Sequence, residues 1–161
     1  MIKAAPLNDL TKKAFCDMFK AYYKELGCDD DAQHLIDEYI LPDLLAGLLK
    51  TDVLYENDAP AGFVIYQKDD IDNDWNKKEG WGDIREIFII PPLRRKGYGK
   101  FLLYTAEYRL KESGADKAYC LPEERSVPFF TACGYEKTDE YDGDLDAFVY
   151  AKTNLSNCKC K

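Results

Sequence analysis

Hydrophobic and polar positions alternate along this chain with two different periods, and the change of period divides it. From Thr11 to Gly27, residues Ala14, Phe15, Met18, Phe19, Tyr22 and Tyr23 recur at helical spacing, and Gly27 is a good stop. Asp9 or Thr11 is placed to cap this helix, and Ile2 to Ala5 reads as a strand ahead of it. A second helical pattern runs through "DDDAQHLIDEYILPDLLAGLL". Pro42 must kink or divide it, because proline lacks the amide that an interior turn uses. After Lys50 the period falls to two. "TDVLYEN" and "AGFVIYQK" read as strands joined by a turn at "NDAPAG". "KDDIDNDWNKKEG" is too polar for a core element and reads as a loop, with Asp69, Asp70, Asp72 and Asp74 as a solvated face. "DIREIFII", a helix over roughly Tyr98 to Ser113, and "KAYCLP" form strand, helix, strand, the pattern of a crossover between parallel neighbours. "SVPFFTACG" is a short helix, and "YEKTDEY" with "LDAFVYAK" a closing hairpin. The order β-α-α-β-β-β-α-β-α-β-β predicts a mixed α/β (α+β) sheet. The expected division is one domain over 1–152 and a short tail over 153–161.

Composition narrows the class. A chain of 161 residues with 46% hydrophobic and 32% charged residues can bury one substantial core. Its net charge of -8 argues against nucleic-acid binding, which needs a broad basic surface. The apolar stretch Ile84 to Leu93 is too short to span a bilayer, so no membrane partner is expected. The amino-terminal segment lacks the apolar run of a secretory signal, and a cytoplasmic location is the expectation. The six cysteines are then reduced thiols, with Cys16, Cys120 and Cys133 as small core residues. The Cys158 and Cys160 pair does not close a tetrahedral site, and no metal is expected. His34, the single histidine, reads as a helix-surface or packing residue rather than a base.

One segment is out of character for so acidic a chain. "RRKGYGK" sets Arg94, Arg95, Lys96 and Lys100 around Gly97, Tyr98 and Gly99 at a helix start. Glycine lets backbone amides approach a ligand, and the helix end adds N–H groups and a positive dipole. That is chemistry for a phosphate, with the cations adding charge-assisted contacts. The alternative is a tight strand-to-helix turn with a solvated basic end. The Walker pattern does not occur, and the dinucleotide fingerprint fails because its third glycine is missing.

The segment "IFIIPPLRRKGYGKFLLYTAE" resembles the central motif of the GCN5-related N-acetyltransferase (GNAT) superfamily. Arg94, Gly97 and Gly99 match its [R/Q]-x-x-G-x-[G/A] core, and Ile89, Ile90 and Pro91 match the preceding strand end. "RSVPFFTACGYEKT" resembles a later block of the family, a short helix ending in Gly134 and Tyr135. The resemblance implies a splayed mixed sheet flanked by helices, with acetyl-CoA entering where the central strand parts from its neighbour. It implies that backbone groups of Phe88, Ile89 and Ile90 pair with the pantetheine arm. Amides from Arg95 to Lys100 would cradle the pyrophosphate. Ser126 or Arg125 would stand in for an asparagine that often contacts the coenzyme.

Acetyl transfer to an amine needs a neutral nucleophile, so a carboxylate must collect a proton, directly or through water. Negative charge develops on the thioester oxygen, and the resemblance implies that an oriented amide near Ile87 to Ile89 stabilises it. Glu86 and Asp83 flank the implied site, and both are candidates for the base. Regular strand alternation puts them on opposite faces, and a bulge would undo that assignment. Relatives commonly carry a tyrosine that protonates the leaving thiolate. That position here holds Phe130, which has no proton to give and is expected near the coenzyme's sulfur. Tyr135 is expected to pack. Tyr22, Tyr23, Tyr39 and Trp81 are candidate walls for the acceptor, and the acidic runs Asp29 to Asp31 and Asp139 to Asp146 are placed to attract a cation. The resulting expectation is an acetyl-CoA-dependent N-acetyltransferase acting on a small cationic amine. A peptide or protein acetyltransferase and a non-catalytic acyl-CoA-binding module are the alternatives, and a homodimer is left open.

Overall fold

The structure, a computed structural model, describes residues 1–70 and 77–155. Asp72 and Asp74, expected on a solvated face, and the Cys158 and Cys160 pair lie outside the described residues. The fold is a mixed sheet with helices flanking it, ordered β1-β2-β3-β4-β5-β7-β6. Residues cluster into two compact units, Met1–Tyr66 with Glu86–Leu103 and Gln67–Arg85 with Tyr104–Lys161.

In the first unit, β1 (Ile2–Pro6), β2 (Lys50–Glu56) and β3 (Ala59–Lys68) pair antiparallel. The β2–β3 turn is tighter than the six-residue turn expected. Asn57 and Asp58 alone make it, at φ 49° and 66°, the two left-handed residues that match hairpin twist. Pro60 therefore lies inside β3, opposite Tyr55, and the register slips between Leu54 and Tyr55. A residue that cannot donate to the ladder is tolerated at such an irregularity.

Helix α1 (Lys12–Glu25) buries Phe15, Met18 and Phe19, the stripe that its periodicity announces. Neither proposed cap works as expected. Thr11 occupies the cap position, but its side chain makes no capping bond. Instead its hydroxyl and amide turn back to Asn8, whose Oδ1 also accepts from the Leu10 N–H. At the other end Gly27, at φ 75°, donates to the Lys24 carbonyl while Cys28 donates to that of Tyr23. This double closure is a Schellman motif and fixes the last turn of α1.

The second helical region is divided, as Pro42 requires, but by widening rather than breaking. Helix α2 (Asp29–Leu35) passes through a wide turn over Ile36–Ile40 into α3 (Leu41–Leu45), and the Leu41 amide reaches back five residues to Ile36. Such a turn carries the chain past an amide that proline lacks. His34 is exposed and meets the Tyr39 ring edge-on. The first unit's core gathers Phe15, Phe19, Ile36, Val53, Phe63 and Phe88. At roughly 1.5–3 kcal/mol for each large apolar side chain removed from water, these contacts dominate its stability.

In the second unit, β4 (Gly82–Ile89) begins by pairing parallel with β5 (Ala118–Cys120). Helix α4 (Tyr98–Glu112) supplies the crossover, and β4 and α4 each contribute to both units. β7 (Ala147–Lys152) lies antiparallel to β5, and β6 (Glu136–Asp142) closes the hairpin. Helix α5 (Val127–Ala132) precedes β6.

Two expectations about polar residues here are corrected. Asp69 is not on a solvated face. It is 2% exposed, accepts from the Lys77 and Lys78 amides at 3.0 and 2.9 Å, and takes the Tyr119 hydroxyl at 2.5 Å. Asp70 is exposed, as expected. Tyr135 is buried but does more than pack, because its hydroxyl donates to Glu107 Oε1 at 2.9 Å, and Lys152 binds the other oxygen at 2.9 Å. Cys120 and Cys133 are buried, whereas Cys16 is only half-buried. Among the described residues no helix is long and apolar enough to cross a membrane, and no group of three or more His, Cys, Asp or Glu is placed to hold a metal.

Candidate active site

Strand β4 ends because Pro91 and Pro92 follow Ile90 and cannot continue a ladder. They form one tight turn, with Leu93 and Arg94 donating back to Ile90 and Pro91. Arg95 then takes φ 66° and Gly97 φ 82°, two left-handed residues in a three-residue span. A non-glycine residue held there costs of order 1 kcal/mol or more. No atom lies within 4 Å of where a Gly97 side chain would begin. Glycine is thus required by the backbone angle, not by crowding. Helix α4 starts at once. The Phe101 amide donates to the Gly97 carbonyl, and the amides of Tyr98 and Gly99 precede it in the first turn, where no carbonyl four residues back is available to them in the helix.

The cations of this loop have different surroundings. Arg95, Lys96 and Lys100 are exposed. The Lys96 ammonium is 3.8 Å from Glu56 Oε1. The Tyr98 hydroxyl also donates to Glu56, a bond that raises the phenol's pKa above its ordinary value. Arg94 is committed elsewhere. Its Nε donates to the Ile89 carbonyl at 2.8 Å, its Nη2 reaches both Glu25 oxygens at 2.8 and 2.9 Å, and its guanidinium lies over the Phe88 ring at 5.4 Å. Glu25, at the end of α1, was not legible as a partner, being 69 residues away in sequence.

Backbone hydrogen bonding changes sides between the start of β4 and Ile90, the residue just past its end. Gly82 donates to Lys117, beside β5, whereas Ile90 donates to Ala61 in β3. These residues are an even number apart, and in an unbroken strand both would face the same neighbour. A one-residue irregularity therefore lies between them, and simple alternation does not fix the faces of Asp83 and Glu86. Of the three residues expected to meet the pantetheine arm, Ile90 has its N–H on Ala61 and Ile89 has its carbonyl on Arg94. Phe88 is buried against Tyr22 and Phe63.

The two candidate bases are placed differently. Glu86 is half-buried, and the Tyr23 hydroxyl donates to its Oε1 at 3.2 Å. Tyr23 in turn stacks on Phe19 at 4.6 Å and meets Tyr22 edge-on at 5.5 Å. The structure thus joins Glu86 to two of the four aromatic residues proposed as acceptor walls. Asp83 is 7% exposed and lies in register with Tyr119. Burial first, and the charge of Asp83 second, push the Tyr119 phenol and the Cys120 thiol far up. Of the other two aromatic residues, Tyr39 is exposed on the wide turn, and the ammonium groups of Lys78 and Lys117 each lie 5.1 Å from the centre of the Trp81 ring. Ser126 is half-buried at the start of α5, and Phe130 is buried against Phe129 and Tyr135.

The model of the acetyltransferase (GNAT) family matches residues 12–135. The chain belongs to that family. The matched span contains the glycine loop, β4 and the α5 block. Solved structures share the fold. PaiA N-acetyltransferase from Thermoplasma acidophilum, in complex with coenzyme A, has a TM-score of 0.77 at 15% identity, over 95% of this chain and 99% of that one. PH1933 from Pyrococcus horikoshii OT3 has a TM-score of 0.72 at 21% identity, over 96% and 99%. A predicted acetyltransferase from Clostridium acetobutylicum, solved with acetyl-CoA, has a TM-score of 0.73 at 19% identity, over 88% and 94%. At these identities the likeness is one of fold. No curated protein matches in sequence.

Proposed function

We propose that this acetyltransferase moves the acetyl group of acetyl-CoA to a primary amine on a small cationic molecule, with Glu86 taking the amine's proton. The observation that carries the reading is the pairing of two features in one unit. One is the left-handed turn at Arg95 and Gly97 feeding the first turn of α4. The other is a half-buried carboxylate, Glu86, held against an aromatic helix face. The first suits a pyrophosphate, because N–H groups at a helix start favour an anion. Gly97 keeps the approach open, and Arg95, Lys96 and Lys100 add positive charge. The second suits an alkylammonium, because a carboxylate and aromatic faces both attract a cation.

The chemistry follows from these groups. The acceptor arrives protonated and has no lone pair to offer. Glu86, directly or through a water, removes one proton, and the freed amine attacks the thioester carbonyl. The C–N bond forms, the tetrahedral oxyanion collapses, and the C–S bond breaks. The nitrogen gives up its second proton to water as the amide forms, and one N–H stays on the product. Phe130 occupies the position where relatives carry a phenol, so the coenzyme A leaves as a thiolate without a proton from that residue. Two carboxylates stood as candidates, and Glu86 is preferred because Asp83 lies buried among β5 neighbours in the second unit.

The test is a screen of small amines, including di- and polyamines, amino acids and amino sugars, with acetyl-CoA and mass detection of acetylated product. Acetylation of a cationic amine supports the reading. Activity on peptide amines alone, or coenzyme binding with no transfer to any amine, contradicts it.

A further inference from the structure

The structure assigns Arg94 and Glu25 a joint role that neither the loop motif nor its charge suggests: we propose that they form a clamp that positions the cofactor loop, rather than a cation awaiting phosphate and its incidental counter-ion. This deepens the proposed function and rests on its reading of the 94–100 loop as a coenzyme site.

The geometry supports a clamp. Arg94 uses three distinct features of one guanidinium. Nε donates along the chain to the Ile89 carbonyl at 2.8 Å, which ties the loop to the end of β4. Nη2 reaches both oxygens of Glu25, at 2.8 and 2.9 Å, which ties the loop to α1. The planar face covers Phe88 at 5.4 Å. Glu25 is the last residue of α1, in the turn closed by Gly27 and Cys28, so it offers a fixed anchor. Arg95 follows directly and takes the left-handed angle that opens the loop. Holding Arg94 therefore holds the residue on which the turn depends. A phosphate contact by Arg94 would surrender a hydrogen bond to a carbonyl and a carboxylate pair, both charge-assisted. Arg95, Lys96 and Lys100 are exposed around the turn and are the cations suited to the phosphate.

The side chains of Arg94 and Glu25 are 40% and 36% exposed, so the pair contributes modestly to stability. Its effect is expected in the shape of the loop and thus in coenzyme affinity. The two roles predict opposite signs. If Glu25 merely occupies a phosphate-binding arginine, removing its charge frees Arg94 and tightens coenzyme binding. If the two form a clamp, the same change loosens binding.

Coenzyme A titrated calorimetrically into the full chain decides this. Glu25→Gln and Arg94→Gln should each weaken binding by about fivefold to tenfold, the loss of one charge-assisted hydrogen bond's worth of order. The double variant should be no weaker than the worse single one, because both changes break one unit. Arg94→Lys should not recover wild-type affinity, since an ammonium cannot satisfy a carbonyl and both carboxylate oxygens in this geometry. Asp17→Asn, on an exposed carboxylate of the same helix paired with Lys13, is the charge-matched control and should leave affinity unchanged. Tighter binding by Glu25→Gln, wild-type binding by Arg94→Lys, or additive losses in the double variant overturns the clamp. A wild-type chain that binds no coenzyme A overturns the functional reading itself, and the clamp with it.

Discussion

The Tyr23 hydroxyl donates a hydrogen bond to Glu86 Oε1 at 3.2 Å, joining the last turn of α1 to β4. A phenol that donates to one carboxylate oxygen fixes the direction of the carboxylate. Tyr23→Phe keeps the ring that stacks on Phe19 and removes only this bond. It should lower kcat/KM for the acceptor by about threefold to tenfold and leave the KM for acetyl-CoA unchanged. In a Glu86→Gln background the same change should do nothing further. Steady-state kinetics of the four proteins measure this, and an equal loss in both backgrounds would show that Tyr23 acts only through packing.

Gly97 stands at φ 82° with open space around its missing side chain. Gly97→Val should therefore leave the fold intact and distort the turn. The strain of a β-branched residue there, of order 1–2 kcal/mol, corresponds to about a tenfold rise in the Kd for coenzyme A. Lys50→Ala, outside the loop, is the control. Unchanged affinity in the Gly97 variant would remove the cradle from the account.

Asp69 holds the exit of the acidic loop through the Lys77 and Lys78 amides and the Tyr119 hydroxyl. Asp69→Ala strands these donors inside the protein. The expected cost is about 3 kcal/mol in urea unfolding, near the value for a broken buried charged network. A loss below about 0.5 kcal/mol, the range of ordinary surface changes, would contradict this anchoring role.

The cysteines offer a chemical check on burial. The Cys120 thiol is buried, and burial raises its pKa far above the ordinary range, with the charges of Asp83 and Glu107 adding to the effect. Little thiolate is then present at pH 8, and it is not accessible. Cys28 is exposed. Brief treatment with iodoacetamide and peptide mapping should find Cys28 modified and Cys120 intact, and early labelling of Cys120 in folded protein would contradict the packing of β5.

Periodicity made most of the fold legible. The α1 stripe, the Pro42 division, the parallel crossover and the final hairpin all follow from local patterns that packing reinforces. Turn chemistry was harder to read, because "NDAPAG" contains several turn formers and only the left-handed pair Asn57 and Asp58 is used. The burial of Asp69 has no local signal, because its neighbours are acidic and polar and nothing nearby marks it as bound to Tyr119, fifty residues away. Glu107 carried a clue. It sits at helical spacing with the buried Leu103 and Leu110, and a carboxylate on an apolar stripe needs a partner, here Tyr135 and Lys152. The glycine loop was legible because its backbone angles demand particular residues. The Glu25 and Arg94 pair was not, because it is a tertiary contact between exposed types that occur throughout the chain.

The role of Glu86 is tested most directly by a pH–rate series on wild type, Glu86→Gln and Asp83→Asn, with acetyl-CoA and a cationic amine that the wild type acetylates. Glu86→Gln should bind acetyl-CoA as the wild type does and lose about a hundredfold or more of kcat/KM for the amine near neutral pH. That deficit should shrink as pH rises and free amine appears in solution, because less proton removal is then asked of the protein. Asp83→Asn should lose far less at every pH. A near-wild-type rate in Glu86→Gln beside a collapsed rate in Asp83→Asn would transfer the base to Asp83 and contradict the account.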